Sequence, residues 1–456
     1  MSTSKANSAN TSATASEESN STSNVNSDNF MTNEVNKGNS EIIDVLVAGA
    51  GIGGLITALC LHRAGFTVRV YEQAHILKPI GFAMNLQPYC VKLLYELGLK
   101  DELDKIGIRT STAAYYSRNG QFIYKESRGI DAGYGWPQYS IHHGYLQELL
   151  VHHMHDEVGK FSIQLGQKVV AFRMQQNHVE VDFVNPDTDQ LTTALAKVLV
   201  GADGIKSAVR KILYPTESPP LWNGCSLWRG LTQMDKTFFD GRTMIYLGNP
   251  NERFIAFYPI GNNLINWVCV IQTEEPGRRV PPEMPDCDTM VHIQNLLPLI
   301  SDMKLDFLDV HHLISSSLIV RCYPVTDRDT LVQWTHDRVT LLGDAAHPMY
   351  PYGSNGASQA IVDARALTLS FREHGVTPKS LKAYDNLRCE ASNSFVLSAR
   401  EHSSLKILQI IDEHLPSSFW RLSDIISESE IDAELSKHKQ ACDWNAQQLK
   451  QEPPLF

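Results

Sequence analysis

An α/β architecture is predicted here, a parallel sheet with an inserted antiparallel sheet and C-terminal helices, and three observations predict it. Near the start, an apolar run at residues 42–48 leads into Gly49-Ala50-Gly51-Ile52-Gly53-Gly54. Far downstream, a second run at 338–342 leads into Gly343-Asp344-Ala345-Ala346-His347-Pro348 and then Tyr350-Pro351-Tyr352-Gly353-Ser354-Asn355-Gly356. Between them the pattern changes to closely spaced strands separated by Gly and Asn turns. A glycine-rich turn that opens a helix after a buried strand cradles a dinucleotide. A distant second loop with Gly-Asp, Pro and small residues narrows the ligand to a large cofactor with two ends to hold. FAD is such a cofactor.

The first unit reads as a Rossmann-like strand, turn and helix. Gly49 allows the tight turn, Gly51 lets the backbone approach a pyrophosphate, and Gly54 lets the helix pack on the strand, with Gly53 between them. The helix is expected over 55–64, stopping at Gly65. A second strand over 66–71 ends at Glu72, an acid placed to accept hydrogen bonds from the adenosine ribose. Next, 198–200 is a buried strand broken by Gly201-Ala202-Asp203-Gly204, with a short helix over 205–213. At the last loop, Gly343 gives a turn and Asp344 meets the ribityl or phosphate region. A helix over 355–370 follows, its N-terminal N–H groups and dipole favouring negative charge near Gly356.

The middle reads as an antiparallel sheet with strands over 225–232, 243–247, 254–260 and 264–271. Phe254, Ala256 and Tyr258 share one face by period-2 alternation. That face is either plain core or the wall of a substrate pocket. An apolar, aromatic roof of Phe254, Tyr258, Trp267 and Tyr352 would keep water out. The expected division is a low-complexity tail at 1–40, a cofactor domain at 41–215 and 321–375, a substrate-binding sheet at 216–320 and a helical segment at 376–456. Within that segment 380–408 reads as one long helix and 447–456 as frayed.

The three fingerprints, in this order and spacing, resemble those of the class A flavoprotein monooxygenases, single-component aromatic hydroxylases, over about residues 42–400. Further segments are similar to a phenazine-modifying subgroup: Pro137-Gln138-Tyr139-Ser140-Ile141-His142, Trp228-Arg229-Gly230, Gly241-Arg242-Thr243-Met244-Ile245, Asn266-Trp267-Val268-Cys269 and Tyr323-Pro324-Val325-Thr326-Asp327-Arg328-Asp329. The resemblance implies FAD as cofactor and NADH or NADPH as co-substrate. It implies hydroxylation by dioxygen, through a flavin hydroperoxide, of a planar aromatic or N-heteroaromatic compound. It places Pro351 and Asn355 at the reacting edge and Tyr258 on the substrate. Salicylate-type relatives carry His where Phe254 stands here. Arg229 either meets a substrate carboxylate or fixes the domain junction. One departure concerns His143, which stands where the family usually has an Arg clamping the FAD diphosphate or ribityl chain; imidazole offers fewer donors and no permanent charge. A reductase or oxidase on the same scaffold, or a non-catalytic redox sensor, is the alternative.

Composition excludes other classes. The chain has 456 residues and a net charge of −11, which argues against nucleic acid as a partner. Eight cysteines are scattered without a CxxC, as expected of reduced thiols in the cytoplasm. The tail is rich in Ser, Thr and Asn, lacks an apolar core and lacks Arg, so it reads as disordered rather than as a targeting signal. No run of apolar residues suffices for a membrane span. His152 and His153 are adjacent on a helix and point apart, so with His155 they make no metal site. The expected state is a monomer or homodimer.

Overall fold

The computed structural model describes residues 41–78, 81–234, 237–282, 289–401, 405–414, 426–427, 429–431, 433 and 445–456. The low-complexity stretch 1–40 lies outside them, as do Cys287 and Cys442.

Among these residues the first sheet has seven strands. At its centre β1 (Ile43–Ala48) pairs in parallel with β2 (Val68–Glu72) and with the end of β11 (Leu191–Gly201). β8 (Ile163–Leu165) lies parallel beyond β2, and β17 (Val339–Leu341) lies parallel to β11. β9 (Lys168–Met174) and β10 (Val179–Val184) extend it antiparallel along the first half of β11. Val45, Leu46 and Val47 are fully buried, as a parallel strand covered on both faces requires. The register aligns the strand ends. Ala48 pairs with Gly201, and Gly201 pairs with Leu341, so three strands drawn from distant parts of the chain end side by side. Each runs straight into one of the three glycine-bearing turns. In open α/β sheets, ligands bind at this carboxyl edge.

Helices cover this sheet. α1 (Ile52–Arg63) packs against α8 (Gly356–His374), and α8 against α9 (Pro378–Arg400). α2 (Pro88–Glu96) also lies on α8, while α3 (Lys100–Ile106) and α4 (His143–His153) follow at the side of α1. α5 (Ala208–Leu213) is the short helix after Gly204. A small antiparallel sheet of β3 (Ala83–Leu86), β7 (Gln138–His142) and β4 (Gly107–Thr110) links the two larger sheets.

The second large sheet runs β16 (Ser317–Asp327), β12 (Leu221–Gln233), β15 (Leu264–Gln272), β14 (Arg253–Pro259), β13 (Thr243–Asn249), β5 (Thr112–Tyr116) and β6 (Phe122–Ser127). The four expected strands are present. The sheet is not confined to 216–320, however: it recruits the β5–β6 hairpin from the first part of the chain and β16 from its return. Nor is it wholly antiparallel, since β13 and β5 pair in parallel. Its outer face buries Ile245, Ile255, Phe257, Trp267 and Cys269 in one cluster with α6 (Thr289–Leu296) and α7 (Val310–Ser315). The opposite face looks back toward the cofactor turns.

Two expectations about the C-terminal part are corrected. The region 380–408 is not one helix: α9 ends at Arg400, Glu401 is in a turn, and α10 (Lys406–His414) is a separate helix. The final residues are not frayed. α11 (Ala446–Gln451) and the segment after it dock on α2 and α8, with Leu449 and Leu455 buried. Lys92 Nζ donates to the Leu449 carbonyl, Arg365 Nε donates to Glu452 at 3.0 Å, and the Leu455 N–H donates to Glu96 at 2.8 Å. Burial of two leucines and capture of this stretch by three charged side chains outweigh its polar appearance.

Candidate cofactor and substrate site

A cavity of about 640 Å³ opens at the carboxyl edge of the first sheet and runs beneath the second. Gly51 and Gly53 line its near end, Gly204, Gly343 and Asp344 its middle, and Pro351, Tyr352, Asn355 and Gly356 the start of α8. Phe254, Ala256, Tyr258, Arg229, Met244 and Tyr246 form the roof. Residues of all three turns thus line one space, although Gly49, Gly54, Glu72 and Asp203 are not on its wall.

The near end fits a pyrophosphate. A Cβ on Gly51 would meet nothing within 4 Å, so the backbone is open to a ligand. A Cβ on Gly54 would lie 2.0 Å from the Gly49 carbonyl oxygen, so only glycine lets α1 start this close to β1. Glu72 lies behind the turn. Its carboxylate accepts the Ala50 N–H at 2.8 Å and the Ala74 N–H at 2.9 Å, which leaves lone pairs for ribose hydroxyls. Gln147, one turn along α4 from His143, donates to the Ala50 carbonyl at 2.7 Å. That bond sets α4 against the turn and puts His143 on the cavity wall. Burial, Arg229 and His142 push the His143 imidazole down to about 4, so it is neutral at pH 7.

Asp344 faces the cavity. Burial pushes its carboxyl upward, only partly opposed by His347. Asp203, which the sequence suggests as a second contact to the middle of the cofactor beside Asp344, has its carboxylate engaged elsewhere. Its oxygens accept Ser207 Oγ–H at 2.5 Å, Ala208 N–H at 2.7 Å and Val209 N–H at 3.2 Å, so they cap α5. The neighbours Ala202 and Gly204, not Asp203, line the cavity.

The roof follows strict alternation. Phe254, Ala256 and Tyr258 line the cavity, while Ile255 and Phe257 turn outward. The same parity corrects Trp267. It shares the outer face with Cys269 and Ile271, packs against Gly230 and donates its indole N–H to Ser317 at 2.9 Å. Val268 and Val270 take the pocket side instead. Tyr246 was not foreseen; it stacks on Phe254 at 5.8 Å and on Tyr115 at 5.0 Å, extending the aromatic wall. Its parity within β13 would have revealed it.

Arg229 projects into this wall. It donates to the Ala83 carbonyl and lies over the Phe82 ring at 5.1 Å, but its Nε has no hydrogen-bond partner among the described residues. Among the described residues no carboxylate pairs with it, and burial pulls its pKa down.

An elongated space with an open glycine backbone at one end, a cavity-facing aspartate in the middle and a helix N-terminus beyond fits FAD. A family model described as "FAD binding domain" matches residues 42–396. The chain belongs to that family. It is 37% identical to a phenazine 1,6-dicarboxylic acid hydroxylase of Lysobacter antibioticus, over 79% of this chain and 90% of that one. It is 30% identical to an aurachin C monooxygenase/isomerase of Stigmatella aurantiaca, over 87% and 98%. The fold is that of HpxO from Klebsiella pneumoniae, solved with FAD and uric acid, at a TM-score of 0.68 and 23% identity, covering 90% of this chain and 93% of that one. The protein is therefore an FAD-dependent monooxygenase, as its sequence led us to expect. No helix among the described residues is long and apolar enough to cross a membrane.

Proposed function

We propose that the protein uses NAD(P)H and dioxygen to hydroxylate a planar N-heteroaromatic compound bearing a carboxylate. The observation that carries this reading is Arg229: a half-buried guanidinium with an enclosed Nε and no acidic partner among the described residues, set in an aromatic slot beside the start of α8. Guanidinium recognises carboxylate bidentately, and an anion would satisfy the idle Nε. The phenazine hydroxylase relative is named for a dicarboxylic acid, which supports the same chemistry.

When bound, FAD supplies reduction by NAD(P)H and activation of dioxygen. Gly51, Glu72 and His143 would hold its ADP half and diphosphate, and Asp344 a hydroxyl of its middle. Phe254, Tyr246 and Tyr258 place the substrate ring and keep water away from the reacting atoms. Pro351 and Asn355 bound the edge where the ring meets the cofactor. One oxygen atom enters the ring and the other leaves as water, with the two electrons coming from NAD(P)H.

The test is an aerobic screen of phenazine, quinoline and nicotinate carboxylates with labelled dioxygen. At least one should consume one NAD(P)H per product and gain one labelled oxygen. If every compound that accelerates NAD(P)H oxidation yields only peroxide, the enzyme is an oxidase or reductase and the proposal fails.

A further inference from the structure

A buried chain of hydrogen bonds, none of it on the cavity wall except its last member, runs from α9 to the start of α8. Arg388 on α9 donates through Nη2 to Gln359 Oε1 at 2.6 Å. Gln359 Nε2 donates to the Tyr89 hydroxyl at 3.1 Å, and that hydroxyl donates to Asn355 Oδ1 at 2.8 Å. Only Asn355 lines the cavity. At the other end, Arg388 Nε donates to Asp363 at 2.8 Å, and Asp363 also accepts from His347 at 2.6 Å and from the Gly343 N–H at 3.1 Å. Asn355, Gln359 and Asp363 stand four residues apart, so they form one stripe on α8.

The directions in this chain are set by its first member. Guanidinium has donors and no acceptor. It therefore fixes the Gln359 carboxamide with oxygen toward Arg388 and NH2 toward Tyr89. The Tyr89 oxygen, already accepting there, sends its own proton to Asn355. The Asn355 oxygen is thereby held inward, and its NH2 is left to face the cavity. We propose that Arg388, Gln359 and Tyr89 are positioning residues that fix the Asn355 carboxamide as a hydrogen-bond donor into the cofactor cavity. That donor adds to the N–H groups at the α8 N-terminus, where negative charge is favoured. Reduced FAD carries negative charge on its pyrimidine edge, so the chain biases the cavity toward the reduced cofactor. The inference is independent of which substrate the enzyme takes.

Gln359→Glu tests it without changing shape. A carboxylate at 359 only accepts, so it pairs with Arg388 and takes the Tyr89 proton. The Asn355 NH2 then turns inward to the Tyr89 oxygen, and its carbonyl faces the cavity. The readout is the affinity for reduced relative to oxidised FAD, obtained from the midpoint potential of the bound cofactor. We expect this ratio to fall about tenfold, roughly 30 mV for a two-electron couple, with FAD content and melting temperature unchanged. Tyr89→Phe, which adds no charge, should fall between that variant and wild type. In an Asn355→Ala background, Gln359→Glu should have no effect on the ratio. A Tyr89→Phe ratio equal to wild type, or a Gln359→Glu effect that persists without Asn355, would overturn the proposal.

Discussion

Arg210 is a buried guanidinium and Arg229 a half-buried one with an enclosed Nε, and the protein treats them in opposite ways. Arg210, beside the second turn, is fully enclosed and uses its donors on Glu217 and on the carbonyls of Ala345, Ala346 and Asp329. It ties the second turn to the third. Among the described residues Arg229 makes one hydrogen bond and one ring contact and keeps Nε idle. The aspartates repeat the contrast: Asp203 spends its carboxylate on α5, and Asp344 faces the cavity. In each pair the satisfied member holds the scaffold, and the other faces the cavity, where our proposal gives it a ligand as partner. A buried charge costs free energy until it is paired, and a bound ligand would relieve that cost.

The largest expected effect separates the arginines. Arg210→Met should lower stability by about 3–5 kcal/mol, because it leaves Glu217 and several buried carbonyls unpaired. Arg229→Met should leave the melting temperature of the ligand-free protein unchanged or raise it. It should instead raise KM for a carboxylated substrate roughly ten- to a hundredfold, the worth of a charge-assisted bond. Equal losses of melting temperature in the two variants would break the comparison.

Next come the aspartates. Asp203→Ala should cost about 1–3 kcal/mol through the lost cap and bind FAD nearly as well as wild type. Asp344→Ala should lose most of the flavin yet stabilise the flavin-free protein slightly at neutral pH. The sign comes from the raised carboxyl: folding opposes its ionisation, so the charge destabilises the fold above the ordinary carboxylate range, and removing it relieves that penalty. Flavin absorbance and thermal melts of both apoproteins measure the two effects.

The smallest effect concerns His143. Its pKa in the fold, about 4, lies below the ordinary value near 6.5. Its contribution to apoprotein stability is present above pH 6.5 and is lost as pH falls toward 4. A diphosphate beside it favours the protonated ring, so FAD should bind up to about tenfold tighter as pH falls from 7.5 to 5.5. His143→Arg should bind more tightly throughout and lose this pH dependence. Fluorescence titration of the apoprotein reads both; a wild-type affinity that ignores pH would place the diphosphate elsewhere.

Much of the fold and site is legible in the sequence because the turns depend on backbone chemistry that few residues supply. Gly49, Gly51 and Gly54 with Glu72 specify the first turn, and the alternation of Phe254, Ala256 and Tyr258 specifies the roof face. Trp267 is misplaced by its aromatic character when its parity is not weighed. Asp203 is hard to place because Ser207, Ala208 and Val209 do not look like donors until α5 forms. The chain from Arg388 to Asn355 joins residues far apart in sequence, though the polar stripe Asn355, Gln359 and Asp363 on an otherwise buried helix is its visible trace. The docking of Leu449 and Leu455 has no periodic signal, being only two apolar contacts in a polar stretch.

The register that brings Ala48, Gly201 and Leu341 together also orders events during synthesis. A ribosome that has delivered β1 and β2 has made a strand pair whose next neighbour, β11, is still more than a hundred residues from emerging. β17 comes later still. The nascent polypeptide must therefore carry half of a nucleotide cradle, with unpaired strand edges, through most of translation. Such long-range pairing is slow and prone to aggregation. Cofactor capture is a late event, and chains terminated before residue 339 should emerge colourless and dependent on chaperones.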